Sequence, residues 1–161
     1  MNSLTKEMRL EQLMPLIRER LAAGQTVSFS PRGVSMRPML RQGIDSVELA
    51  PISGQLKKYD LPLYQRDNGQ YVLHRIVGVT ETYCCVGDNQ FDLEYGVRHD
   101  QLIALVTSFT RGSKRISVTN VGYRIYCRFW CTTRPVRHLW RRALGRIKRI
   151  AKTILGTSSG L

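Results

Sequence analysis

The chain reads as a mainly β protein: a compact antiparallel β domain with a helix at its N-terminal end and a basic amphipathic helix at its C-terminal end. Three observations predict this. From Thr26 to about Phe109 apolar and polar residues alternate, with a turn signal between successive runs. Upstream of Gly24 the apolar spacing is three and four. Downstream, from Tyr123 to Leu155, helical spacing returns on an arginine-rich background. At 161 residues the chain is long enough for one domain with a core and a modest appendage.

The elements follow in order. Leu10, Leu13, Met14, Ile17 and Leu21 mark one face of a helix between Ser3 and Ala23, with Gly24 as its C-terminal cap and Pro15 as a point of kink or late start. This helix is expected to cover an edge or end of the sheet. Val27 and Phe29, Val47 and Leu49, then Leu61 and Leu63 have the period of strands. Val72, His74 and Ile76 fall on one face of a further strand, with Leu73, Arg75 and Val77 on the other. Asp67-Asn68-Gly69 signals a hairpin, and Ile116 to Val121 offers a last strand. Val136, Leu139, Trp140, Ala143, Leu144, Ile147, Ile150, Ala151, Ile154 and Leu155 then form an apolar stripe, with most of the basic residues off it. The expected division is a helix over 1–25, a β domain over 26–121, a basic helical tail over 122–156 and a disordered end over 157–161.

A net charge of +13 suggests nucleic-acid binding until the charge is located. Residues 1–100 hold 12 basic and 12 acidic side chains, whereas residues 101–161 hold 13 basic and no acidic ones. The asymmetry belongs to the tail. No apolar run reaches the ~18–20 residues that cross a bilayer, and the N-terminus lacks the apolar core of a secretory signal. The expected location is therefore cytoplasmic, peripheral on a membrane. Cys84, Cys85, Cys127 and Cys131 read as reduced thiols rather than as a disulfide framework or a metal site, and no cofactor is expected.

Three segments hold the residue types of nucleophilic serine catalysis. Ser35 lies in Gly33-Val34-Ser35-Met36-Arg37-Pro38-Met39, where Pro38 prevents a regular helix interior and leaves backbone N–H groups of Ser35 and Met36 for an oxyanion. His74 follows 39 positions later in an apolar run, and its ordinary pKa suits a general base. Asp88, in Gly87-Asp88-Asn89, is the candidate to orient it, with Asp92 and Glu94 as alternatives. Each residue also has a plainer reading: a turn serine bonded to its own backbone, a strand histidine bonded to a carbonyl, and an aspartate stabilising its turn.

Taken together, these segments resemble the serine peptidase superfamily of signal peptidases and self-cleaving SOS and phage repressors. Gly33 to Leu40 is similar to its nucleophile box, Gly-x-Ser-Met-x-Pro-x-Leu, and Gly43-Ile44-Asp45-Ser46-Val47 to the following Gly-Asp-x-Val strand with one inserted residue. Tyr59-Asp60-Leu61-Pro62-Leu63-Tyr64 resembles the next, usually Gly-Asp-Ile-Val. Leu73-His74-Arg75-Ile76-Val77 resembles the box of the general base, and Gly87-Asp88-Asn89 the Gly-Asp-Asn box. The similarity covers about residues 26–108. Histidine at position 74, rather than lysine, points to the serine–histidine branch. The resemblance implies a signal-peptidase-like β domain in which Ser35 attacks a peptide carbonyl and His74 moves the proton. Gly33 supplies no side-chain oxyanion donor, the endoplasmic-reticulum branch places its acid nearer Glu94, and the membrane anchor of signal peptidases is missing.

The tail supplies the remaining expectation. An apolar stripe flanked by Arg137, Arg141, Arg142, Arg146 and Arg149, with Trp140, fits a helix lying in an anionic membrane interface. A helix packed on the β domain with a solvated basic face is the competing account. Nucleic-acid binding leaves the apolar stripe unexplained. The chain is thus expected to be a serine endopeptidase that cleaves a leader or precursor peptide at a membrane surface. The alternative is a non-catalytic or regulatory relative that uses the β domain as a binding module, with its tail on membrane or DNA.

Overall fold

The structure, a computed structural model, describes residues 10–156, with side chains described through residue 146. Helix and strand take comparable shares of the described residues, so the mainly β expectation holds only roughly: the architecture is mixed, with three α-helices and two open antiparallel sheets among the described residues. Most strands are short, whereas the two C-terminal helices run 12 and 23 residues.

Helix α1 (Leu10–Ala22) continues through Pro15 and buries Met14, Ile17 and Leu21 in the main core. Its end closes as the cap requires. Gly24 has φ +72°, its N–H donates to the Leu21 carbonyl at 2.9 Å, and Gln25 N–H donates to the Arg20 carbonyl at 2.9 Å. The part of the expected helix before Leu10 lies outside the described residues.

The larger sheet contains β1 (Val27–Phe29), β2 (Val47–Ala50), β3 (Pro62–Gln65), β4 (Tyr71–Leu73), β8 (Leu102–Arg111) and β9 (Lys114–Ser117). Its order is β1-β2-β8-β3-β4, with β9 also on β8. Strand β8 is the spine: Leu49 pairs with Val106 and Val47 with Phe109, all four buried. Residues 66–70 form the expected turn between β3 and β4, with Arg66 N–H bonded to the Gln70 carbonyl and Gly69 at φ +84°. The smaller sheet is β5 (Arg75–Val79), β6 (Tyr83–Val86) and β7 (Glu94–Val97) in that order.

Two sequence expectations change here. His74 does not share a strand with Val72 and Ile76. It is the single residue between β4 and β5, which belong to different sheets. The backbone of Ile76 bonds to Tyr59 and Asp60, at 2.8 and 2.9 Å, in the register of the β3–β4 pair, while Ile76 also pairs with Cys85 of β6. The basic tail, moreover, is two helices, α2 (Val121–Thr132) and α3 (Arg134–Gly156). Helix α2 belongs to the fold, since Tyr123 and Cys127 are buried in the main core with Met39 and Phe109. The expected disordered end at 157–161 lies outside the described residues.

Candidate active site

Ser35 stands in an irregular turn between β1 and β2, followed by a cis Arg37–Pro38 peptide. The turn is held from two sides. Arg37 N–H donates to the Val34 carbonyl and Leu40 N–H to the Met36 carbonyl, while Asn89 N–H donates to the Ser35 carbonyl at 2.7 Å. Asn89 Nδ2 also donates to the Val34 carbonyl at 3.2 Å. The Gly87-Asp88-Asn89 turn therefore lies directly against the serine. A Cβ at Gly87 would sit 2.7 Å from the Ser35 carbonyl oxygen and 3.1 Å from Ser35 Cβ, a close approach that only glycine permits. The N–H groups of Ser35 and Met36 have no hydrogen-bond partner among the described residues.

Ser35 and His74 line one cleft of about 640 Å³, together with Leu10 of α1, Phe29, Met36 and Arg66. His74, between β4 and β5, is buried at the wall of this cleft. Tyr64, on β3, donates its hydroxyl proton to Glu94 Oε2 at 2.6 Å, and its oxygen lies 3.4 Å from His74 Nδ1. Because the Tyr64 proton is committed to Glu94, the hydrogen bond to Nδ1 makes Tyr64 oxygen the acceptor and Nδ1 the protonated nitrogen. Nε2 is then the unprotonated nitrogen. Glu94 Oε2 itself is 3.8 Å from Nδ1. Arg66 binds both Glu94 oxygens at 2.6 Å. Burial raises the Glu94 pKa, but the bonds from Arg66 and Tyr64 outweigh it and hold the carboxylate below its usual range. Burial, aided by the nearby Arg66 charge, lowers His74 to about 4. The imidazole is consequently neutral at pH 7, the form a general base needs.

The structure brings Asp88 to a different partner. Its carboxylate is gripped by Arg75, Nε to Oδ1 and Nη2 to Oδ2, both at 2.8 Å. Tyr126 donates to Oδ2 at 3.0 Å, and Trp130 Nε1 donates to the Asp88 carbonyl at 2.8 Å. Asp88 as the residue orienting His74 is thus corrected: a fully buried arginine claims its oxygens, and Glu94 is the acid on the Nδ1 side. Asp92 is exposed. The sequence reading missed Tyr64, Arg66 and the buried Arg75. The one signal for Arg75 was an arginine inside the apolar run Leu73 to Val77; Tyr64 and Arg66 gave none, because only folding joins β3 to β7.

The basic residues also divide. Arg137 lies 3.6 Å over the Trp130 ring and bonds the Trp130 carbonyl, and Arg141 donates to Asn89 Oδ1 at 2.7 Å. Arg137 is thus engaged by α2 and Arg141, though exposed, by the Gly87-Asp88-Asn89 turn, which corrects the expectation that both are free on a membrane face. Arg142, Arg146 and Trp140 are exposed, and the side chain of Arg149 lies outside the described residues. Among the described residues no helix is long and apolar enough to cross a membrane. No protein-family model and no curated protein matches the chain.

Proposed function

We propose that this chain is a serine endopeptidase of the signal-peptidase-like type, acting on a leader or precursor peptide through Ser35 and His74. The observation that carries the reading is the shared cleft, in which a serine beside two open backbone N–H groups faces the same space as a neutral, buried imidazole. In this mechanism Ser35 Oγ attacks the peptide carbonyl as His74 Nε2 takes its proton. The N–H groups of Ser35 and Met36 hold the oxyanion, and the imidazolium returns the proton to the leaving amine. Water, activated by the same nitrogen, then hydrolyses the acyl ester. Glu94, through Tyr64, orients the ring and balances its transient charge. Tyr59 adds support from the backbone. Its φ of +80°, unusual for a non-glycine residue, falls at the position where the resembling strand box carries glycine.

The test is covalent labelling with a fluorophosphonate, which reports an activated serine. Labelling is expected at Ser35, absent from Ser35→Ala and reduced by roughly 10³-fold in rate in His74→Ala. Labelling that persists in Ser35→Ala refutes the assignment. A folded parent that never labels and never cleaves moves the chain to the binding-module reading.

A further inference from the structure

We infer that α2 and α3 together form a docking surface for an anionic lipid bilayer, with the outer face of α2 as a contact in its own right. Of α2, Tyr123 and Cys127 are buried, and Tyr126 and Trp130 bond to Asp88. Val121, Ile125 and Phe129 recur every four residues on the opposite side and are 60–70% exposed. The same division holds in α3. Arg137 packs on Trp130 of α2, His138 stacks on Phe91 at 4.6 Å and Arg141 bonds Asn89, whereas Val136, Leu139 and Trp140 are 67–68% exposed. Most of the exposed large apolar side chains of the described molecule lie on these two helices.

Large apolar side chains repeated along one helix face, unpaired with protein, mark an interaction surface. Its partner follows from charge. Residues 121–156 carry ten basic and no acidic side chains, and Arg124, Arg128, Arg142 and Arg146 flank the two apolar faces. Apolar side chains can enter the acyl boundary while arginines reach phosphate headgroups. A duplex satisfies the arginines but leaves Val121, Ile125, Phe129 and Leu139 in water. The inference is independent of the peptidase chemistry, because no residue of either helix lines the cleft of Ser35.

Vesicle flotation of the full chain carrying Ser35→Ala tests it without proteolysis. Vesicles of equal parts phosphatidylcholine and phosphatidylglycerol are expected to carry the protein, and phosphatidylcholine alone is not. The triple substitution V121S/I125S/F129S is expected to weaken binding by about tenfold or more, as is L139S/W140S. I44S/Y95S, at exposed apolar positions elsewhere, is expected to leave it unchanged. Unaltered thermal unfolding of the variants excludes misfolding, and a blue shift of tryptophan emission on vesicle addition, lost in W140F, reports insertion. Flotation of V121S/I125S/F129S equal to the parent overturns the α2 contact. Tight salt-sensitive duplex binding without flotation, or an apolar-face variant that dissolves a dimer without affecting lipid, overturns the whole inference.

Discussion

At position 74 burial decides the protonation state. The His74 imidazole has lost most of its water, Arg66 adds a nearby positive charge, and the pKa falls from 6.5 to about 4. The base form is therefore present above about 4, and kcat/KM is expected to be flat through the region near 6.5 where an exposed histidine would titrate. A stopped assay across pH 5–8 reads this directly; an acid limb centred near 6.5 contradicts it. The same shift has a stability consequence of the same sense as that of a carboxylate with a lowered pKa. Below 6.5 the unfolded chain takes up a proton that the folded chain refuses until about 4, so His74 lowers stability as the pH falls through that window. Asp45, held at about 2 by hydrogen bonds from Arg41, contributes stability above its ordinary 3.8 that is lost as the pH falls from there toward 2. Sequence made the residue types at 35 and 74 legible. It left the orienting acid open, because Asp88, Asp92 and Glu94 are all close in the chain and only their burial partners distinguish them.

Between elements, Arg75 is the junction. It is fully buried and binds Asp88, the Tyr123 hydroxyl at 2.9 Å, Cys127 Sγ at 3.0 Å, Met39 Sδ at 3.0 Å and the Tyr59 carbonyl at 3.2 Å. One guanidinium thus joins the start of β5, the turn beside Ser35, the segment after Ser35 and α2. Removing one member of a buried ion pair leaves the other uncompensated, at a cost of about 3–5 kcal/mol. Arg75→Ala is expected to lose that much in chemical denaturation, and a loss below about 1 kcal/mol would show that Asp88 has found other partners. The first half of the chain, read by period, yielded its helix and most strand positions because one face of each is apolar. Period gave the two faces of Leu73–His74–Arg75 but not the change of sheet, because alternation continues while the chain passes from one sheet to the other. It also failed near Thr133, where the helical spacing conceals the boundary between α2 and α3.

Across the whole molecule, charge and packing do not divide the chain at the same place. The basic composition begins after residue 100, yet α2 closes the main core over Met39 and Phe109 and covers the Arg75–Asp88 pair. A chain ending at Thr133 is expected to keep one cooperative calorimetric transition, shifted by only a few degrees. A chain ending at Asn120 loses Tyr123, Tyr126, Cys127 and Trp130 at once and is expected to lose that transition. If both truncations unfold alike, α2 is a tail after all.

The order of apolar and polar residues was enough to place the N-terminal helix, several strands and the helical C-terminal part, and the residue types and surroundings of Ser35, His74 and the Gly87-Asp88-Asn89 turn were enough to suggest serine chemistry. These are local properties, set by side-chain type and backbone period. Which carboxylate meets which cation was decided only in three dimensions. The buried Arg75 captured Asp88, while Arg66 and Tyr64 fixed Glu94 beside the imidazole, and each outcome depends on pairs 13 to 30 residues apart losing their water together.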